Sequence, residues 1–178
     1  TMEILFKANS FPNTLNTLMG IESNYLLRIG DATIPNNQLQ VATSVNNCTS
    51  ADLQLESGKW YHVAVAFNKG NVKVYINGVE KLSGSTGKSS VSLGAKHTNE
   101  EDGSRCFWVG YSYKDDRYFD GVVSEVRIWN RALTAEEIQA TNHFYTIEPE
   151  SEGLIAYWKF DEGSGTVAKD YSASGYDL

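Results

Sequence analysis

The stretch WYHVAVAFNKGNVKVYING, residues 60–78, decides the fold, because two alternating apolar patterns flank one short turn. Every second residue of its first half is large and apolar: Tyr61, Val63, Val65 and Phe67. After the turn NKGN the same spacing returns in Val72, Val74 and Ile76. Apolar side chains that repeat every two residues are typical of a half-buried strand, and the glycine-containing loop between the two runs predicts an antiparallel hairpin.

Strand-like segments recur along the rest of the chain: MEILFKA, TLMGIE, NYLLRIG, QLQVATS, VEKLSG, SVSLGA, CFWVGYS and GVVSEVRIWN. Clusters of Gly, Asn, Ser and Asp separate them, among them GDATIPNN, NNCTSAD and KHTNEEDGS, which we interpret as turns. Many short strands joined by turns predict an antiparallel β-sandwich or barrel.

One helix is predicted in TAEEIQATNHF. Thr134 is a suitable N-cap, and Glu137 follows three residues later, which is the spacing of a capping box. We expect about two turns of helix that close one end of the sandwich.

The late stretch GLIAYWKFDEGSG, residues 153–165, has the pattern of a further strand. One predicted face carries only apolar side chains: Leu154, Ala156, Trp158 and Phe160. The roughly 25 residues that remain from this point are too few to build a second core. We therefore expect one domain over residues 1–178, with residues 153–178 completing the sandwich.

Composition narrows the class of function. The net charge is −7 and no Lys/Arg cluster occurs, so a nucleic-acid partner is not expected. No apolar run approaches the roughly 20 residues that span a bilayer, so direct membrane insertion is not expected either. The two cysteines, Cys48 and Cys106, match no zinc or redox motif, and both a disulfide and two free thiols stay open.

Three segments carry a family resemblance: WYHVAVAFNKGNVKVYINGVEK, FWVGYS and FDGVVSEVRIWNRALTAEEIQ. They resemble the laminin-G-like modules of the concanavalin A-like lectin/glucanase superfamily, and the resemblance covers nearly the whole chain. GLIAYWKFDEGSG usually opens such a module but comes last here, so the order resembles a circular permutation. One position departs from the family pattern, because Ser124 stands where an acid commonly precedes Glu125.

The resemblance implies an all-β jelly-roll sandwich with one short helix. Modules of this permuted kind resemble the C-terminal parts of surface lipoproteins in glycan-utilisation systems of gut anaerobes. An extracellular or outer-membrane cell-surface location follows as an expectation.

Catalysis is not expected. Glucanases of the superfamily use a strand motif of the type E-x-D-x-E, and this chain has no such spacing. The three histidines, His62, His97 and His143, accompany no nucleophile elbow. His62 lies opposite the core set of its strand, and we interpret it as a partly buried residue near Tyr75.

A structural calcium ion is one hypothesis for the acids near turns: Asp115, Asp116, Asp120, Glu162 and Asp170. Calcium takes such oxygens, and wider relatives carry a calcium at the rim of the sandwich. Asp120 and Asp170 are the candidate ligands. The alternative is that these are ordinary solvated loop acids.

Sugar binding requires aromatic faces with planar polar groups around them. The candidate binding residues are Arg28, Asp31, Trp108, Tyr111, Tyr113, Arg117 and Tyr118. The structural alternative is that Arg117 pairs with a neighbouring Asp while Tyr118 and Phe119 cover the edge of the sandwich. The sequence thus predicts a non-catalytic carbohydrate-binding or adhesion module that recognises an oligo- or polysaccharide. The alternatives are a domain that holds a neighbouring domain or partner, and a glycoside hydrolase with two facing carboxylates.

Overall fold

The computed structural model describes residues 1–22, 24–44, 47–91, 106–112, 115–144 and 147–178. Its strands are β1 Met2–Ala8, β2 Asn16–Ile21, β3 Tyr25–Asp31, β4 Ile34–Ser44, β5 Asn47–Gln54, β6 Trp60–Asn68, β7 Asn71–Ile76, β8 Val79–Ser85, β9 Trp108–Val109, β10 Gly121–Trp129 and β11 Leu154–Trp158. They form a six-stranded sheet in the order β11-β10-β1-β6-β7-β8 and a five-stranded sheet in the order β5-β4-β3-β2-β9. The predicted jelly-roll sandwich is confirmed.

The hairpin of residues 60–78 forms as predicted, and its turns explain its register. Asn68 pairs with Asn71, which leaves Lys69 and Gly70 as a two-residue loop with φ of 48° and 92°. The next turn repeats this geometry, with Asn77 and Gly78 at φ of 50° and 77°. Positive φ at both central residues is the type I′ turn, whose twist matches that of the flanking strands.

The core lies between the two sheets. Phe6 of β1, Val63 of β6 and Leu27 of β3 are each 0% exposed within it. The alternating side chains of β6 and β7 contribute to this core as the sequence predicts. Most of the predicted strand SVSLGA lies outside the described residues.

Residues 47–52 of the polar cluster NNCTSAD lie in a strand and not in a turn. Residues of this cluster belong to β5, which pairs with the long strand β4 at the edge of the five-stranded sheet. An edge strand needs one paired side only, so backbone pairing outweighs the weak strand propensity of Asn and Ser.

The six-stranded sheet also buries its opposite face. One cross-strand row on that face is formed by Tyr157, Arg127, Glu3, Ala64 and Tyr75. This row and its apolar neighbours form a second buried cluster, which we call the outer cluster.

Helix α1, Ala135–Gln139, covers the outer cluster with Ile138. The helix therefore lies on the outer face of a sheet, and the expectation that it closes an end of the sandwich is wrong. Its capping box of Thr134 and Glu137 is confirmed, and a 3-10 turn, Thr141–Phe144, follows it. A second 3-10 turn spans Asp115–Arg117. No described helix is long and apolar enough to span a bilayer.

Strand β11 pairs with β10 at the edge of the six-stranded sheet. Ala156 and Trp158 enter the core as predicted, whereas Leu154 joins the outer cluster. The register between the two strands shifts by one residue beside Trp129, and such a bulge moves the next side chain to the other face. The prediction of one shared face for all four residues is therefore wrong. That residues 153–178 are needed to complete the sandwich stays a prediction.

Candidate functional site

Two aromatic rings meet on the outer face of the five-stranded sheet. Phe107 and Val109 pack against the core, so the alternation of β9 directs Trp108 to the opposite face. The ring centroids of Trp108 and Tyr111 lie 5.4 Å apart with planes at 66°. This edge-to-face arrangement holds both partly exposed rings in one place.

Gly20 of β2 is the cross-strand partner of Trp108. Its φ is +123°, and a Cβ at this position would lie 2.2 Å from the carbonyl oxygen of Tyr25. Only glycine fits here, because a side chain would collide with the backbone of β3.

Arg117 binds a carboxylate that the sequence did not indicate. Its Nη1 donates a 2.8 Å hydrogen bond to Oε2 of Glu22, whereas the neighbouring Asp116 lies 4.0 Å from Nε. Glu22 follows Gly20 by two residues, so this ion pair lies at the same edge as Trp108. We call Glu22, Trp108, Tyr111 and Arg117 the β2–β9 rim. Sequence reasoning missed Glu22 because 95 residues separate it from Arg117.

Tyr118 is 43% exposed and follows Arg117 directly. Its backbone carbonyl accepts a 2.9 Å hydrogen bond from Nδ2 of Asn13. The neighbouring ring of Phe119 covers the core instead, meeting Phe6 edge-to-face at 5.6 Å. The exposed Tyr118 ring thus remains available for contact beside the β2–β9 rim.

Arg28 and Asp31, both predicted as sugar-binding residues, form an ion pair with each other. Arg28 Nε also donates a 2.7 Å hydrogen bond to Oε1 of Gln40, across β3 and β4. Arg28 is only 8% exposed. Asp31 in turn accepts hydrogen bonds from the backbone amide and hydroxyl of Thr33, each 3.1 Å long. These contacts give Arg28 and Asp31 a structural role, because they connect β3 to β4 and to the turn at Thr33. A role of the pair in sugar binding stays a prediction.

Several predicted residues lie outside the described part of the chain: Tyr113, His97 and the side chains of Cys48 and Asp115. Both alternatives for Cys48 and Cys106, a disulfide and two free thiols, therefore stay open, and a role for Tyr113 stays a prediction.

Asp120 tethers the end of β1. Its carboxylate accepts hydrogen bonds of 2.5 Å from Ser10 Oγ and 3.2 Å from Asn9 Nδ2. These bonds, the one from Ser10 foremost, hold the pKa of Asp120 below its usual range.

Asp170 organises the terminal segment. Its carboxylate accepts hydrogen bonds of 2.8–2.9 Å from the backbone amides of Tyr157, Ser172 and Tyr176 and from the hydroxyl of Ser172. Burial alone would raise the pKa of this carboxyl, but the bonds from these amides outweigh it and lower the pKa. Hydrogen-bond donors therefore surround the carboxylates of both Asp120 and Asp170. A calcium ion would instead need six to eight oxygen ligands around it. Calcium binding by these two acids stays a prediction that their surroundings do not support.

A buried polar cluster that the sequence did not indicate lies on the outer face of the six-stranded sheet, beside the 3-10 turn that follows α1. Glu3, His62 and His143 bring ligand atoms within 4.8 Å of one another, and among the described residues they form the one such group of His, Cys, Asp or Glu. His62 is 4% exposed and packs against Phe144, so its interpretation as a partly buried residue is wrong.

Solved structures similar to this chain include two glycan-related proteins. A candidate carbohydrate-binding protein from Bacteroides ovatus ATCC 8483 is 30% identical with a TM-score of 0.80, over 99% of this chain and 49% of its own. Domain 4 of AbnA, a GH43 extracellular arabinanase from Geobacillus stearothermophilus solved with arabinotriose, is 26% identical with a TM-score of 0.58, over 78% of this chain and 63% of its own.

A human protein, adhesion G-protein coupled receptor D1, is 34% identical in an alignment of 85 positions that covers 44% of this chain and 8% of the receptor. The chain thus spans about half of the Bacteroides protein and a small part of the receptor.

The sequence also matches a family directly. Residues 1–139 match Laminin_G_3, described as the concanavalin A-like lectin/glucanases superfamily. This match covers well over half of the chain, and the chain belongs to that family.

Proposed function

We propose that this chain is a non-catalytic carbohydrate-binding or adhesion module of an extracellular or cell-surface protein, and that it binds an oligo- or polysaccharide. The observation that carries the proposal is the β2–β9 rim, where the Trp108–Tyr111 ring pair and the Glu22–Arg117 ion pair share one sheet edge.

The chemistry of the rim suits a neutral glycan. The C–H face of a sugar ring packs on an aromatic face, and planar polar groups bind its hydroxyls. Glu22 holds the guanidinium of Arg117 in position, so little side-chain freedom is lost when a ligand binds.

The relatives support the same class of ligand. The arabinanase domain was solved with arabinotriose, and the enzyme that contains it is extracellular. The Bacteroides protein is a candidate carbohydrate-binding protein, and the human relative is an adhesion receptor.

A glycan-array screen, run with and without a chelator, tests the proposal, followed by Trp108→Ala and Tyr111→Ala on any glycan found. We expect each variant to weaken binding at least about tenfold, since one aromatic–sugar contact contributes on the order of 1.5 kcal/mol. Trp60→Ala is the matched control, because Trp60 is 45% exposed on the other sheet. Unchanged affinity in both rim variants would refute this site, and no binding to any glycan would refute the function.

A structural interaction domain is the second candidate, and one observation favours it. Four of the exposed large apolar side chains come from the terminal segment: Val167, Tyr171, Tyr176 and Leu178. Exposed apolar side chains of this kind are suited to contact a neighbouring domain of a longer protein. This candidate would be favoured if Tyr176→Ser lost binding to a partner that the wild type binds, and if neither protein bound any glycan.

The absence of catalysis is part of the proposal and needs its own assay. We expect no release of reducing ends from any glycan that binds. Turnover that persists in independently purified batches would place the chain among the hydrolases of its superfamily.

A further inference from the structure

We propose that Glu3, His62 and His143 bind one divalent transition-metal ion of the zinc class, and that this ion fastens the segment after α1 to the six-stranded sheet. The site is separate from the β2–β9 rim and from the acids considered for calcium.

Three segments distant in the sequence supply the ligand atoms. Glu3 lies on β1, His62 on the neighbouring strand β6, and His143 on the 3-10 turn that follows α1. Oε1 of Glu3 lies 2.6 Å from Nε2 of His143 and 3.6 Å from Nε2 of His62. Two imidazoles and one carboxylate are a ligand set that zinc favours, whereas calcium takes oxygens alone.

The distances suit a metal after a small movement. With metal–ligand bonds of about 2.0–2.2 Å, the ligand atoms of a tetrahedral ion lie about 3.3–3.6 Å apart. The Glu3–His62 separation of 3.6 Å lies at the upper end of this range. Nε2 of His143 has to retreat by about 0.7–1.0 Å from its present 2.6 Å contact with Glu3, which a residue on a short 3-10 turn can do more easily than one inside a sheet.

His62 is the residue that points to an ion. Both of its ring nitrogens are buried and lack a hydrogen-bond partner. A buried polar atom without a partner costs about 1–3 kcal/mol and calls for a specific cause. A proton shared by Glu3 and His143 would account for their short contact but would leave His62 unsatisfied. A metal ion bound to Nε2 of both histidines would give Nε2 of His62 a partner as well as Glu3 and His143, and it would leave only Nδ1 of His62 without one.

The charged side chains around the site carry a net negative charge, which favours a positively charged ion. Arg127 lies 3.9 Å from Oε2 of Glu3 and is ion-paired with Glu125. With neutral histidines, these two acids and one arginine sum to −1. The repulsion of Arg127 lowers the affinity for a dication, and the second carboxylate offsets that repulsion.

Outer groups also orient the ligands. Trp129 Nε1 donates a 2.9 Å hydrogen bond to Oε2 of Glu3, and Arg127 Nη1 donates one of 2.7 Å to the backbone carbonyl of His143. Such second contacts fix the direction of metal ligands. Because Glu3, His62 and His143 are 1%, 4% and 6% exposed, a substrate cannot reach the ion, and its role is structural.

Zinc titration of the tag-free, chelator-stripped chain tests the proposal. We expect one equivalent of zinc to remain after desalting, and a rise in Tm of about 5–10 °C when free zinc exceeds Kd about a hundredfold. Retention of less than a tenth of an equivalent, with Tm unchanged, would overturn the proposal and favour the shared proton.

Variants assign the site. His62→Asn and His143→Asn should each abolish zinc retention, whereas His97→Asn, the change of the third histidine, should keep it. Equal loss in all three variants contradicts the assignment. If a variant fails to fold, the histidine ring resonances of the wild-type chain decide: zinc should shift those of His62 and His143 and not those of His97, and any other pattern overturns the proposal.

Discussion

The indole of Trp129 donates a 2.9 Å hydrogen bond to the carboxylate of Glu3, and this bond joins β10 to β1 on the face of the sheet that points away from the core. Both residues are buried, at 5% and 1% exposure. Burial alone would raise the pKa of Glu3, but the hydrogen bond from His143 and the electrostatic effects of His143, His62 and Arg127 outweigh it and lower the pKa. The carboxylate therefore stays charged inside the protein and depends on its donors.

Trp129→Phe removes that donor while keeping an aromatic ring in the outer cluster. A buried charged acceptor that loses one partner costs about 1–3 kcal/mol, and the smaller ring adds a cavity. We expect the free energy of unfolding to fall by about 2–4 kcal/mol in urea denaturation. Trp60→Phe is the control, since Trp60 is 45% exposed and should change stability by less than about 0.5 kcal/mol. Equal losses in the two variants would contradict this account of Glu3.

The capping box predicts an acid-sensitive contribution to stability. Hydrogen bonds from Arg131 and from the backbone of Thr134 lower the pKa of Glu137 from 4.5 to about 2. The folded protein thus binds the proton less readily than the unfolded chain. The stabilisation is complete above pH 4.5 and is lost as the pH falls from there to about 2.

The size of that effect is limited by solvent, because the Glu137 side chain is 37% exposed. We expect the wild type to lose about 1 kcal/mol more than Glu137→Gln between pH 5 and pH 2, measured as the difference between their unfolding curves. Parallel pH profiles for the two proteins would show that Glu137 contributes nothing through its charge.

Local signals predicted the fold because the deciding information lies within a few residues. The hairpin of residues 60–78 carries its period of two and its type I′ turns in one continuous stretch. The capping box of Thr134 and Glu137 is equally local. Strand β5 was missed because its pairing with β4 overrides the turn-like composition of its sequence.

The candidate site was predicted only where its members are close in the sequence. Trp108 and Tyr111 were found because alternation places Trp108 on the free face and Tyr111 follows it closely. Glu22 and the group of Glu3, His62 and His143 were not found, since only the sheet order brings them together. Arg28 was found but is buried, because its pairing with Gln40 depends on strand register.

Gly20→Ala tests how far the β2–β9 rim depends on the close approach of β3. The new Cβ would lie 2.2 Å from the carbonyl oxygen of Tyr25, in a backbone conformation of φ +123°. We expect a loss of at least about 3 kcal/mol in stability. Gly58→Ala is the control, because its φ of +77° is also positive but no atom lies within 4 Å of the new Cβ. It should lose only about 1 kcal/mol, and equal losses would show that backbone conformation alone matters.

Truncation after Pro149 tests whether the terminal residues belong to the sandwich. It removes β11, and with it Ala156 and Trp158, each 4% exposed, and it uncovers the edge of β10. We expect the shortened chain to lose cooperative thermal unfolding, since loss of one buried tryptophan side chain alone costs about 3–5 kcal/mol.

Point variants make the same test in the full-length chain. Trp158→Ala should lose about 3–5 kcal/mol and remain folded, whereas Tyr176→Ala, at a side chain that is 63% exposed, should lose less than about 0.5 kcal/mol. Trp158 Nε1 donates a 2.8 Å hydrogen bond to the backbone carbonyl of Tyr176. Tyr176→Ala keeps this bond, because the acceptor is a backbone atom. A truncated chain that unfolds as sharply as the full chain, in calorimetry at matched concentration, would show that residues 1–149 already form the complete sandwich and that β11 is an addition to its edge.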